Sequence, residues 1–129
     1  MMEPNDAKVK SLAKALNLLE GFKSDTPELG ITQLSHMLDL NKSNVSNIVS
    51  TFEQAGYLEQ NPETGRYRLG LKLLEFSFII NEKLGYQRIP HDIMQGLSKR
   101  LNAITYFAIY RQQQVFYLCN SYPPEEIYN

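Results

Sequence analysis

Apolar residues near the start of the chain recur at three- and four-residue spacing. Val9, Leu12, Ala13, Leu16, Leu19 and Phe22 follow the period of an amphipathic helix with one apolar face. Asn5 or Asp6 stands where a cap would begin that helix, and the stretch Gly21 to Pro27 ends it with breaker and turn residues. A second, shorter helix is predicted from Thr32 as its cap, with Leu34, Met37 and Leu38 on one side and an end near Asp39. A third begins at about Lys42, capped by Asn41 or Ser43. It buries Val45, Ile48, Val49 and Phe52 and stops at Gly56. Two helices joined by so short a turn make a helix-turn-helix candidate.

After Gly56 the period shortens. Tyr57 to Gln60 and Arg66 to Leu69 flank Asn61-Pro62-Glu63-Thr64-Gly65, the pattern of a hairpin or wing. Side chains alternate across a strand, so Tyr67 and Leu69 are expected to face the core and Arg66 and Arg68 the solvent. From Leu71 to Leu84 the helical period returns with too many apolar residues for one stripe: Leu71, Leu74 and Phe78 on one line, Leu73, Phe76, Ile80 and Leu84 on another. Two faces need cover. One is expected to pack on its own domain and the other on a second copy, with Leu71, Leu74, Phe78, Ile80 and Leu84 as the dimerisation residues; the alternative is that one chain covers both faces. Gly85 to Pro90 reads as a linker. A helix over His91 to Leu101 follows, then strands Thr105 to Tyr110 and Val115 to Asn120 around the turn Arg111 to Gln114. One helix and a two-stranded hairpin do not make an independently stable domain.

Composition narrows the classes. The chain has 129 residues, 43% of them hydrophobic, and a net charge of −1, which fits a folded core and argues against a protein that coats nucleic acid without regard to sequence. The polar start, Met1 to Lys10, lacks a secretory core, and no apolar run approaches the roughly 20 residues that span a bilayer. A cytoplasmic location is expected, without a membrane. The single cysteine, Cys119, excludes an internal disulfide and reads as a small apolar residue in a strand. His36 and His91 form no constellation with the carboxylates, and there is no Gly-rich phosphate loop. No catalytic site, metal or cofactor is therefore expected.

Candidate chemistry lies in the third helix. Its outward positions Lys42, Ser43, Asn44, Ser46, Asn47 and Ser50 all carry hydrogen-bonding groups, and no acidic residue falls between Asp39 and Glu53. Such a face suits the major groove of double-stranded DNA: Asn pairs with adenine, Ser bonds a base edge or a phosphate, and Lys42 meets the backbone. Thr32 and Gln33 at the start of the second helix, and Arg66 and Arg68 of the wing with Lys72 beside them, extend the candidate contact to flanking phosphate or the minor groove. The bland alternative is a solvated surface on a protein-binding winged helix.

The runs Val9-Lys10-Ser11-Leu12-Ala13-Lys14-Ala15-Leu16, Ile31-Thr32-Gln33-Leu34, Lys42-Ser43-Asn44-Val45, Glu53-Gln54-Ala55-Gly56-Tyr57-Leu58 and Gly65-Arg66-Tyr67-Arg68-Leu69-Gly70 together resemble the IclR family of bacterial transcription regulators, over about residues 9 to 84. The resemblance implies an α+β fold: an N-terminal winged helix-turn-helix over 1–70, a linker and dimerisation helix over 71–89, and over 90–129 the incomplete start of an α/β effector-type domain. It also implies dimers or tetramers that repress or activate, and a small-molecule effector bound by a complete C-terminal domain. Three positions depart from the family's habit: Asp39 for glycine, Ser43-Asn44 for Ser-Thr, and Asn47 for arginine. The operator therefore does not transfer. Two other classes are compatible with the residues: a module that heterodimerises with a full-length regulator through Leu71 to Leu84, and a fragment of a small-molecule sensor.

Overall fold

A computed structural model describes residues 1–84 and 91–124, with the side chain of Leu84 outside the description. Helices α1 (Lys10–Glu20), α2 (Ile31–Leu38) and α3 (Lys42–Ala55) are followed by strands β1 (Leu58–Gln60) and β2 (Tyr67–Leu69) and by α4 (Lys72–Leu84). Then come α5 (His91–Leu101), β3 (Thr105–Arg111) and β4 (Gln114–Ser121). The chain forms two compact units, Met1–Ile80 and Asn81–Asn129. The expected linker 85–90 and the final residues 125–129 lie outside the described residues.

In the first unit α1, α2 and α3 converge on a core of Leu18, Phe22, Leu29, Leu34, Val45, Val49 and Leu58. β1 and β2 pair antiparallel, with Leu58 opposite Leu69 and Gln60 opposite Tyr67. A bridge between Leu29 and Tyr67, two backbone bonds of 2.9 and 2.8 Å, lays the segment before α2 along the free edge of β2. The wing is thus stitched to the helical part by backbone.

Several expectations are corrected. On α1 the buried arc is Ala13, Asn17 and Leu18, while Val9, Leu12 and Leu16 are exposed. Apolar periodicity marks a wide stripe here and does not say which edge of it faces inward. Asn17 is able to turn inward because its amide is satisfied: it accepts from the Met2 N–H at 3.0 Å and donates to the Met2 carbonyl at 2.7 Å. Neither Asn5 nor Asp6 caps α1; Pro4–Asp6 forms a 3-10 turn and Val9 stands at the N-cap. The cap of α2 is Gly30, not Thr32, and Met37 lies outside the core. Leu69 is 44% exposed although it shares a strand face with the half-buried Tyr67. It sits at the end of a three-residue strand, bordering a cleft with Phe22 and Pro27.

In α4 Leu73 is half-buried and Phe76 meets Tyr57 edge-on at 5.8 Å, so one line of the helix packs on its own unit only in part. Leu71, Leu74, Phe78 and Ile80 are all exposed.

In the second unit β3 and β4 form an antiparallel hairpin whose turn residues Gln112 and Gln113 both have positive φ, as a tight two-residue hairpin turn requires. Ser98 of α5 is fully buried and donates to the carbonyls of Ala103 (2.8 Å) and Ser121 (3.2 Å). Among the described residues every buried Ala, Val, Leu and Phe side chain belongs to the first unit. Cys119 lies in β4, as expected, but exposed, with its sulfur 3.6 Å from that of Met94.

Candidate nucleic-acid interface

The turn between α2 and α3 is built from local bonds. Asp39 adopts the left-handed conformation (φ 52°, ψ 46°) that short polar side chains tolerate. The Leu40 N–H donates to the Ser35 carbonyl at 3.2 Å, and the Ser35 hydroxyl donates back to the Leu40 carbonyl. Asn41 then caps α3, its side-chain oxygen accepting from the Asn44 N–H at 2.7 Å. Asn41→Ala is expected to cost about 1 kcal/mol, read in a thermal melt, with Asn41→Ser retaining most of the stability. An Asn41→Ala chain that melts with the wild type would show that the cap does not hold the helix.

Val45 and Val49 are fully buried and fix the rotation of α3. With 3.6 residues per turn, Asn47 and Ser43 then point most directly away from the core, with Asn44 and Ser50 beside them, Ser46 on the flank and Lys42 at the helix start. All six are exposed. The far end is closed by Gly56 at φ 85°, the left-handed C-cap position. Asn47 and Thr51 also rim an apolar groove of about 620 Å³ between α1 and α3, floored by Leu12, Leu16, Ile48 and Phe52. The groove was not legible in the residue pattern, because its α1 wall is the half of the apolar stripe that stays outside the core.

At the start of α2, Thr32 and Gln33 are exposed, and Gln33 is partly committed: its side-chain oxygen accepts from the Gly30 N–H at 2.8 Å. Arg66 is exposed and makes no ion pair among the described residues. Its stem passes Gly30, where an added Cβ would come within 3.9 Å of the Arg66 Cγ. The structure therefore brings Arg66 to the beginning of α2.

Arg68 is placed differently. Its guanidinium lies 3.5 Å from Glu59 and 3.8 Å from Glu28. Glu28 in turn accepts from the Asn61 side-chain amide at 3.2 and 3.1 Å and from the Thr64 hydroxyl at 3.2 Å. Sequence reasoning missed Glu28, since its partners lie 33 or more residues away along the chain and no local period marks such a contact. Lys72 also has an anionic partner: a hydrogen bond to Glu75 at 2.8 Å, with that carboxylate's charge, holds the ammonium above its usual range.

His36 and His91 are exposed. Among the described residues no group of three or more His, Cys, Asp and Glu side chains is arranged to hold a metal ion. Among the same residues no helix is long and apolar enough to cross a membrane.

Comparison with known proteins matches residues 11–62 to the IclR helix-turn-helix domain. The chain carries an IclR-family helix-turn-helix domain. It is 31% identical over 110 residues to the HTH-type transcriptional regulator XynR of Escherichia coli (strain K12), a match covering 85% of this chain and 44% of that protein. Among solved structures it is similar to an IclR transcriptional regulator from Silicibacter sp., with a TM-score of 0.72 and 25% identity over 88% of this chain and 44% of the other. It also shares its fold with an IclR homolog from Microbacterium hydrocarbonoxydans in complex with 4-hydroxybenzoate, with a TM-score of 0.71 and 23% identity over 85% of this chain and 45% of the other. The chain spans less than half the length of each. The helices and short antiparallel sheets of this chain agree with the α+β fold that the resemblance implies, and the matched domain covers α2, α3, β1 and all but the first residue of α1.

Proposed function

We propose that this chain is the DNA-reading part of a transcription regulator, acting by binding rather than catalysis and in the cytoplasm. The observation that carries this reading is the exposed face of α3 from Lys42 to Ser50: acid-free, rich in Ser and Asn, and fixed in rotation by Val45 and Val49. In this reading Ser43, Asn44, Ser46, Asn47 and Ser50 meet base edges and nearby phosphate in the major groove. Lys42, Thr32, Gln33 and Arg66 hold the flanking backbone. Leu71, just before α4, and Leu74, Phe78 and Ile80 of α4 form the contact with a second copy, so that two recognition helices address a two-fold site. The exposed state of all four supports this. A complete C-terminal domain binds a small-molecule effector, a role supported by the 4-hydroxybenzoate complex of the Microbacterium hydrocarbonoxydans homolog.

The test is selection of duplexes from a random pool by the purified chain at two salt concentrations. A recovered site with two-fold symmetry, half-sites about one helical turn apart and salt-sensitive affinity is the expected result. Failure to enrich any duplex at low salt would refute DNA reading by this chain and leave the apolar face of α4 as the surface of a protein-binding module.

A further inference from the structure

Residue alternation gives the wing two outward arginines, but the structure treats them unequally. Arg66 has no anionic partner among the described residues, whereas Arg68 lies between Glu59, directly opposite it on β1, and Glu28 from the segment before α2. Two carboxylates against one guanidinium leave this edge of the wing with a net negative charge. Glu28 is also held by Asn61 and Thr64 of the wing turn, so it fastens both the strand and the tip of the hairpin to the helical part. An isolated exposed ion pair fixes little. Here one carboxylate is gripped by three wing side chains, and a backbone bridge between Leu29 and Tyr67 runs beside them. The third cation of the region, Lys72, is likewise held by Glu75.

We infer that Glu28 and Glu59 hold Arg68 as an internal strut of the wing, so that the wing meets phosphate through Arg66 and not through Arg68. The inference rests on the DNA-reading function proposed above and adds a specificity device to it. A phosphate approaching Arg68 also approaches two carboxylates, and repulsion offsets the attraction. Sequence-independent binding draws almost wholly on phosphate contacts. The carboxylate pair therefore weakens binding to arbitrary duplexes more than binding to a site whose bases α3 reads. Glu28 and Glu59 are positioning residues in this scheme, acting through Arg68.

The experiment measures affinity for the selected duplex and for a scrambled duplex of equal length between 50 and 200 mM salt, with the wild type, Arg66→Gln, Arg68→Gln and the double variant Glu28→Gln/Glu59→Gln. Each lost phosphate contact lowers the slope of log affinity against log salt by about 0.9, a difference of about 3.5-fold across that salt range. The expected results are that loss in Arg66→Gln, an unchanged slope in Arg68→Gln, and a gain of similar size in the double variant, with affinity for the scrambled duplex rising more than for the selected one. Hydrogen exchange supplies a readout independent of DNA: amides of residues 58–69 exchange faster in Arg68→Gln and Glu28→Gln than in the wild type, and at the wild-type rate in Arg66→Gln. Equal slope losses in Arg66→Gln and Arg68→Gln overturn the inference alone, and they decide it even if the double variant does not fold. A wild-type chain without salt-dependent binding overturns the DNA reading and the inference with it.

Discussion

Alanine at Gly70 is expected to be among the most damaging single substitutions in the first unit. A Cβ built there would stand 2.1 Å from the Gly56 carbonyl oxygen and 2.9 Å from the backbone carbons of Gly56 and Tyr57. These are main-chain atoms at the end of α3, so no side-chain rotation relieves the clash. The same approach carries the hydrogen bond from the Gly70 N–H to the Tyr57 carbonyl at 2.7 Å, and Lys72 donates to the Gly56 carbonyl at 3.3 Å. The two chain segments must separate, with loss of bonds that join the start of α4 to the recognition helix. The expected cost is about 3 kcal/mol or more, at the upper end of overpacking changes, which is roughly 12–24 °C in melting temperature for a unit of this size. Gly56→Ala is the control. Its left-handed φ of 85° penalises alanine, but the added Cβ meets only the Lys72 side chain at 3.4 Å, and a loss of about 1 kcal/mol is expected. A Gly70→Ala chain that melts within a few degrees of the wild type, or above Gly56→Ala, would show that the close approach does not govern stability.

Leu34→Ala is expected to have a comparable effect by the opposite route. Leu34 is fully buried in the core cluster that also holds Leu18, Val45 and Val49. Truncation leaves a cavity beneath both helices of the helix-turn-helix, and buried Leu→Ala changes cost about 2–5 kcal/mol. Against a total of about 5–15 kcal/mol for a small domain, that loss threatens the folded state itself. In urea the midpoint should fall while the slope of the transition stays unchanged. DNA binding should fall with the folded fraction rather than through a lost contact, since Leu34 reaches no surface. Leu69→Ala, at a half-exposed strand position, should cost under about 1 kcal/mol because little apolar surface is returned to water. Equal midpoints for these two variants would contradict the assignment of the core.

The contrast between Leu34 and Leu69 also shows how far the residue pattern carries. Both are apolar residues on the expected inner face of their elements, and nothing local distinguishes them. The period of three and four along α3 is different: Val45 and Val49 lie inward, and Lys42, Ser43, Asn44, Ser46, Asn47 and Ser50 are exposed, as the pattern predicts. In α1 the same kind of pattern misleads, because the apolar stripe is wider than the face that is buried. The surplus, Leu12 and Leu16, lines a surface groove instead. Alternation from Arg66 through β2 leaves both arginines exposed, as expected, yet it is silent about which of them carries an unpaired charge.

Periodicity, caps and glycines are short-range signals, each acting within a few residues, and they suffice for the order of elements, the helix-turn-helix, the wing hairpin and the Gly56 C-cap. The left-handed turn at Asp39 belongs with them, since only its own short side chain and its neighbours set it. The roles of Glu28, Gly70 and Asn17 depend on groups that meet only after the chain has folded. Glu28 finds Asn61, Thr64 and Arg68 across the bridge between Leu29 and Tyr67, Gly70 meets Gly56, and Asn17 closes on Met2. A hydrogen bond or a van der Waals contact acts over a few ångströms in space, whatever the separation along the chain. Which residues come within that range is a property of the packed structure and leaves no period in the sequence.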